Sequence, residues 1–195
     1  MGMLRLQIDM VGTRPLLPHN VQLADPENQY ARDLKLLTQK KTKTDEDRRQ
    51  MAKVEWFGGL YTDPSIVGPA MPTGNIRRML KGAATITKQG KAVERALAFV
   101  DFAVPIAYDG PRELDKLFED ERFRNRAMVR VGMTRVARVR PQFAQWALTA
   151  EARFIDDAMN LDDFQRVVEL AGEIEGLGDN RVNGYGRFVG TVKVL

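Results

Sequence analysis

Trp146, Leu148, Ala150, Ala152 and Phe154 stand at every second position of one stretch, with Ala147, Thr149, Glu151 and Arg153 between them. A strand of this kind has one apolar face and one wet face. The apolar face must be covered by another layer. Two other stretches suit that purpose. Ile76, Met79, Leu80 and Ala83 recur at helical spacing over 74–86, and Phe164, Val167, Val168, Ala171 and Ile174 over 162–175. These patterns predict helices laid on a sheet, an α+β fold.

The remaining pattern fills in the order. Residues 4–11 alternate loosely and read as the first strand. Two helices follow at 28–41 and 45–57, the second capped by Thr44 with Asp47 three residues on. Thr73 is placed to cap the helix at 74–86. Residues 96–108 are rich in Val, Phe and Ile and read as a strand. Two more strands, 128–140 and 143–155, are expected to join near Pro141. Asn160 caps the helix at 162–175, Gly176 stops it, and 187–194 is the last strand. With segments at about 20–70 and 90–125 set aside as inserts, the order is strand, helix, strand, strand, helix, strand. That is the ferredoxin-like or RRM-like plan, βαββαβ with an antiparallel sheet, in one domain of 195 residues.

Composition narrows the function. There is no cysteine, so disulfides and cysteine-ligated metals are excluded and a reducing compartment, the cytoplasm, is expected. No stretch is apolar and long enough for a signal peptide or a membrane span. No dense carboxylate cluster marks a metal site, and "GTRPLLP" lacks the lysine and hydroxyl of a phosphate-binding P-loop. Lys and Arg exceed Asp and Glu by 30 to 26, a mild excess. Its distribution says more: residues 122–150 hold seven arginines and no acid. Within "RAMVRVGMTRVARVR", Arg126, Arg130, Arg138 and Arg140 share parity, so an unbroken strand would put them on one face; a bulge at Gly132 would change that register. Such a row suits a phosphate backbone, or it is a strand kept soluble by charge.

The second charged feature is bare of side chains. In "GLGDNRVNGYGRF", Gly176, Gly178, Gly184 and Gly186 fall within eleven residues, beside Arg181 and Arg187. Glycine lets backbone N–H groups approach a phosphate and permits positive φ. Tyr185 offers a ring for a base to stack on. The plainer alternative is a turn that closes a helix-to-strand connection. Arg77, Arg78 and Lys81 add a basic cluster to the helix at 74–86.

Two segments carry a resemblance. "GPAMPTGNIRRMLKGAA" is a proline, a small capping residue and a helix that opens with a basic pair. "GLGDNRVNGYGRF" resembles the loop G-x-G-x-x-R-x-x-G-x-G between last helix and last strand. Both are similar to the repeat-associated mysterious protein superfamily, the RRM-like subunits of CRISPR effector complexes. The resemblance covers about half of the chain, and the inserts match nothing nameable. The whole also looks like short uncharacterised proteins encoded by bacterial viruses, from which no function follows. The superfamily's backbone subunits polymerise along a guide RNA. The resemblance therefore implies that the glycine loop, the first basic helix and the arginine hairpin face RNA.

His19 is the only histidine. It follows the first strand, where processing endoribonucleases of that superfamily can carry a catalytic histidine, yet no tyrosine or serine partner can be placed beside it. Asp25 stands in "LADPENQY", which resembles the early aspartate loop of RNA-cleaving backbone subunits and is equally an Asp-Pro turn. The expected function is non-catalytic binding of single-stranded nucleic acid, RNA over DNA, with no cofactor, in a homo-oligomer or CRISPR-like assembly. The rivals are a metal-independent endoribonuclease using His19 or Asp25, and a viral protein that joins or blocks a CRISPR complex.

Overall fold

The computed structural model describes residues 2–195. Its strands are β1 (Met3–Gly12), β2 (Ala70–Pro72), β3 (Leu97–Phe99), β4 (Ala103–Pro105), β5 (Arg124–Val131), β6 (Thr134–Pro141), β7 (Ala147–Ile155) and β8 (Phe188–Val194). Its helices are α1 (Gln29–Thr38), α2 (Asp45–Gly59), α3 (Thr73–Ile86), α4 (Gly90–Ala96), α5 (Leu114–Glu119) and α6 (Leu161–Leu170). One antiparallel sheet has the spatial order β3-β7-β1-β8, while β2 pairs with β4 and β5 with β6 in separate ribbons. The fold is α+β. Among the described residues no helix is long and apolar enough to cross a membrane.

The alternation in β7 does what its pattern demands. Leu148, Ala150, Ala152 and Phe154 are buried, and β1 sets Met10, Ile8, Leu6 and Leu4 opposite them in register. Helices α3 and α6 pack on each other and close this face with Ile76, Leu80, Ala83, Phe164, Val167 and Val168. The rings of Phe154 and Phe164 lie 5.0 Å apart. Each such large side chain contributes about 1.5–3 kcal/mol on burial, so this layer dominates folding. The other face of the sheet is wet and self-paired. Arg5 meets Glu151 at 2.8 Å, and Asp9 accepts from Gln7, Thr149 and Lys193.

The helix starts at Thr44 and Asn160 form as expected. Thr44 and Asp47 make a reciprocal capping box, and Asn160 Oδ1 accepts from the Asp163 N–H at 2.7 Å. Thr73 does not cap. It lies inside α3, and its N–H and hydroxyl donate to the carbonyls of Phe102 and Asp101. That tie also explains why 96–108 is not one strand. After β3 the chain turns at 100–102, and β4 leaves β7 to pair with β2. Only Ala107 returns, bridging Ala147.

The expected pairing of 128–140 with 143–155 is also corrected. The hairpin is β5–β6, turning at Gly132 and Met133, and β7 begins a separate sheet. Gly132 has φ +60° while Met133 is not left-handed, as a type II′ turn requires. The turn splits the arginine row. Register places Arg126 opposite Val139 and Arg130 opposite Arg135, with Arg138 opposite Ala127 and Arg140 opposite Asn125. Paired residues share a face, so Arg126 and Arg130 lie on one side and Arg138 and Arg140 on the other.

The hairpin is seated on α2. Trp56 is fully buried and donates Nε1–H to the Phe123 carbonyl at 2.8 Å. Beside it Glu55, only 6% exposed, accepts from the Arg138 guanidinium and, at 3.0 Å, from the Val139 N–H. Glu55→Ala should therefore cost about 1–3 kcal/mol, because it strands a buried donor and a half-buried cation. Hydrogen exchange should show lost protection across 124–141 first, while Glu55→Gln, which keeps the acceptor for Val139, should lose less. Equal protection in all three proteins would mean that Glu55 does not hold the hairpin.

Candidate nucleic-acid interface

The glycine loop begins where α6 widens. One π-type turn over 171–175 ends with the Gly176 N–H on the Ala171 carbonyl at 2.7 Å. Gly176, Gly178, Gly184 and Gly186 all have positive φ, as the composition of the loop suggested. What they approach is the chain itself. The Gly186 N–H donates to the Pro15 carbonyl at 2.8 Å, the Leu177 N–H to the Gly186 carbonyl at 2.9 Å, and the Asp179 N–H to the Leu17 carbonyl at 2.8 Å. A Cβ on Gly186 would stand 1.8 Å from the Leu177 oxygen, and one on Gly178 2.5 Å from the Leu17 oxygen. Gly178 is bare so that the loop can close on the 15–17 segment, and Gly186 so that the loop's two ends can close on each other at Leu177. Gly184 alone of the four has nothing within 4 Å.

The arginines of the site are already engaged. Arg181 pairs with Glu175, and Arg187 donates to the Ile174 carbonyl in the π-type turn and to the Arg181 carbonyl within the loop. Arg140 meets Asp179 at 2.7 Å, which ties the hairpin to the glycine loop. Arg138 meets Glu55. Arg130 donates to its own turn at the Gly132 carbonyl, 3.0 Å away. On α3 the expected cluster divides, because neighbours on a helix point about 100° apart. Arg77 is half-buried on the Leu97 carbonyl at 2.7 Å, and Lys81 pairs with Glu94 at 2.6 Å. Arg78 is exposed and has no partner among the described residues. Tyr185 is half-buried.

Three hollows join these groups. One of about 490 Å³ lies between the 19–24 segment, Glu55 of α2 and the hairpin residues Val129, Arg130, Arg138 and Arg140. A second of about 220 Å³ lies between His19, Arg78 and the glycine loop at 176–181. A third of about 550 Å³ lies between Arg140 and the loop residues Asp179, Arg181 and Arg187. His19 is shared by the first two, Arg140 by the first and third, and Asp179 and Arg181 by the last two. They form one connected surface. It gathers Arg78, Arg130, Arg138, Arg140, Gly178, Arg181 and Arg187. Arg77, Lys81, Arg126, Gly184, Tyr185 and Gly186 do not line it.

Chemically this surface is a set of guanidinium groups, three held by internal carboxylates, two by backbone carbonyls and Arg78 by neither, with one histidine between them. His19 is exposed, and its carbonyl accepts from the Tyr61 hydroxyl at 2.8 Å. Asp25 makes the Asp-Pro turn, its carboxylate accepting from the Glu27 N–H at 3.0 Å. No group of three or more metal-ligating side chains occurs among the described residues. The carboxylates Glu55, Glu175 and Asp179 were not foreseen as part of the site. Glu55 does leave a trace in sequence, an acid inside the apolar run "VEWF".

No family model matches the chain, and no curated protein matches it. Among solved structures it is similar to a chain in the cryo-EM structure of the Type III-B Cmr-beta bound to cognate target RNA, at 10% identity and a TM-score of 0.52. The likeness covers 99% of this chain and 61% of that one, so this chain spans under two thirds of its neighbour's length. At this identity the likeness is one of fold.

The loop geometry separates two substitutions that look alike in sequence. Gly184→Ala should cost about 1–2 kcal/mol, the left-handed penalty alone, and the protein should fold. Gly186→Ala adds a collision with the Leu177 carbonyl and should lower the melting temperature several times more, or abolish folding. Equal melting temperatures would show that the closed loop is not the folded arrangement.

Proposed function

We propose that this chain binds single-stranded nucleic acid, RNA in preference to DNA, without cutting it, as a subunit of a CRISPR-like assembly or of a homo-oligomer along the strand. The carrying observation is the connected surface on which hairpin, glycine loop and α3 bring Arg78, Arg130, Arg138, Arg140, Arg181 and Arg187 together. We further read the main sheet as a ferredoxin-like, RRM-like core of a single domain, with inserts at about 20–70 and 90–125. In chain order its strands stand second, third, first, fourth across the sheet, which supports the ferredoxin-like order, but the second of them is β3, inside the 90–125 stretch, in the place expected of 128–140. The fold likeness to a Cmr-beta chain and the two motifs favour RNA.

Binding on this surface differs from that of an RRM, where bases stack on aromatic residues of the open sheet face. Here the paired residues on that face of β1, β7 and β8 include Arg5, Gln7, Asp9, Thr149, Glu151, Thr191 and Lys193, and no aromatic ring. Recognition then rests on phosphates and arginine, with Tyr61 the ring that lines the surface. Because Arg138, Arg140 and Arg181 are paired with carboxylates, a phosphate must replace an acid at each. Arg78 needs no such exchange and is the first contact.

Titration of labelled RNA at several salt concentrations tests this. Arg78→Ala should weaken binding evenly across sequences and flatten the salt slope by about one unit. Arg140→Ala should cost about tenfold, the loss of one charge-assisted hydrogen bond. Asp179→Asn should tighten binding about two- to fivefold, since it releases Arg140 from an ion pair worth up to about 1 kcal/mol. A slope and affinity unmoved by all three would sink the reading.

A second reading rests on His19, which lines two of the three hollows. A histidine beside arginines can exchange protons with a ribose hydroxyl. We expect no cleavage, because the other acids and bases of those hollows are already committed: Glu55 to Arg138, Asp179 to Arg140 and the Tyr61 hydroxyl to the His19 carbonyl. Specific cuts that vanish in His19→Ala would make the endoribonuclease reading the right one.

A further inference from the structure

The hollow beside α3 is the smallest of the three, about 220 Å³. That is below the roughly 300–1,000 Å³ of a site for a drug-sized ligand, and it suits a single planar heterocycle. Its walls are of the kind such a ring needs. Met79 and Leu177 are buried, and Val21 stands at the rim, 71% exposed. The Tyr61 ring lines the hollow too, with its hydroxyl fixed on the His19 carbonyl at 2.8 Å. Asn75, Arg78 and Met79 stand three and four residues apart on α3, so one face of that helix brings all three to the hollow. The polar groups sort by what already holds them. Asp179 is paired with Arg140, and Arg181 with Glu175. Arg78 is exposed and suits a phosphate. Asn75 differs from all of these. It is half-buried, and among the described residues its side chain has only a weak contact, from Nδ2 to the Met71 sulfur at 3.7 Å. Its carboxamide sets a donor beside an acceptor, and both look for a ligand with the complementary pair.

We propose that this hollow receives one unstacked base of the bound strand and that Asn75 reads it as adenine. The proposal rests on the nucleic-acid reading above and deepens it by giving that surface a sequence preference. A purine covers more of Val21, Met79 and Leu177 than a pyrimidine does, and buried apolar area favours it. Between the purines the amide decides. On its N7 edge adenine offers an acceptor beside the N6 amino donor, the match of an asparagine side chain. Guanine offers two acceptors on that edge. On its Watson–Crick edge it would leave the N2 amino group buried without a partner. Arg78, one turn along the same helix face, takes a phosphate. The division of labour is then the usual one: the arginine positions the strand and the asparagine specifies the base.

The test uses the full chain, treated with nuclease, and short uridine oligomers that carry one central adenosine, guanosine or cytidine. The adenosine oligomer should bind about tenfold more tightly than plain oligouridine, and the other two within about twofold of it. Purine riboside in place of the adenosine lacks the N6 amino donor and should remove the gain. Asn75→Ala should remove it as well, by lowering the affinity for the adenosine oligomer. So should Asn75→Asp, because a carboxylate has no donor for N7. Alanine suits a helix, so Asn75→Ala should melt like the parent. Arg78→Ala should lower all four oligomers alike and keep the preference, which separates the phosphate contact from the base contact. Equal binding of the four oligomers, a preference for another base, or an adenosine preference that survives Asn75→Ala overturns this inference and leaves the function standing. A protein that binds none of the oligomers is judged by NMR with adenosine and uridine monophosphates. A shift of the Asn75 side-chain amide with the first and not the second would keep the pocket and overturn the function. No shift with either would overturn both.

Discussion

Glu55 is the point on which the peripheral structure turns. It sits near the end of α2, is almost wholly buried, and accepts from a guanidinium and a backbone N–H of the same strand of the hairpin. A buried carboxylate is costly unless fully paired, so this position tolerates no looseness. It sets the position of β6 on α2, and β6 in turn carries Arg140 to Asp179 of the glycine loop. Without that chain of contacts the hairpin, the long α1–α2 segment and the glycine loop would be three separate appendages of the sheet. With it they enclose one surface.

The same contacts decide how much charge the surface has to offer. A count of arginines suggests a strongly basic groove. Three of them face carboxylates of their own chain, and two more donate to carbonyls at the ends of elements. Pairing orders the guanidinium forks in advance, which lowers the entropy lost when a phosphate takes over. It also sets a threshold, since an anion must outcompete a local acid. An isolated phosphate is a weak competitor. A strand with phosphates at regular spacing meets several arginines at once, so the arrangement favours a polymer over a mononucleotide.

The sheet explains why this surface lies at the loops. One face is filled by α3 and α6. The other is closed to stacking by its own ion pairs and hydrogen bonds, centred on Asp9. What remains for recognition is the edge formed by the connections after β1, after α6 and within β5–β6, where loops held by a rigid scaffold commonly carry function.

Much of this was legible in the residues alone, and the reason is local. Period two in 146–154, period 3.6 in α3 and α6, and the caps at Thr44 and Asn160 act over a few residues each, so the sequence by itself determined the elements and the apolar face that joins them. Positive φ at the four loop glycines was legible for the same reason. The tertiary structure alone decided the rest. A turn at Gly132 gave the arginine row two faces instead of one. Thr73 turned from a cap into a tie because the carbonyls of Asp101 and Phe102 reach it from far along the chain. Gly178 and Gly186 proved bare for the backbone of Leu17 and Leu177, and three of the groove arginines, Arg138, Arg140 and Arg181, met an acid from a distant or folded-back segment. Ion pairs, close backbone approaches and turn registers join residues that no short window contains, and only the packed core brings them within reach of one another.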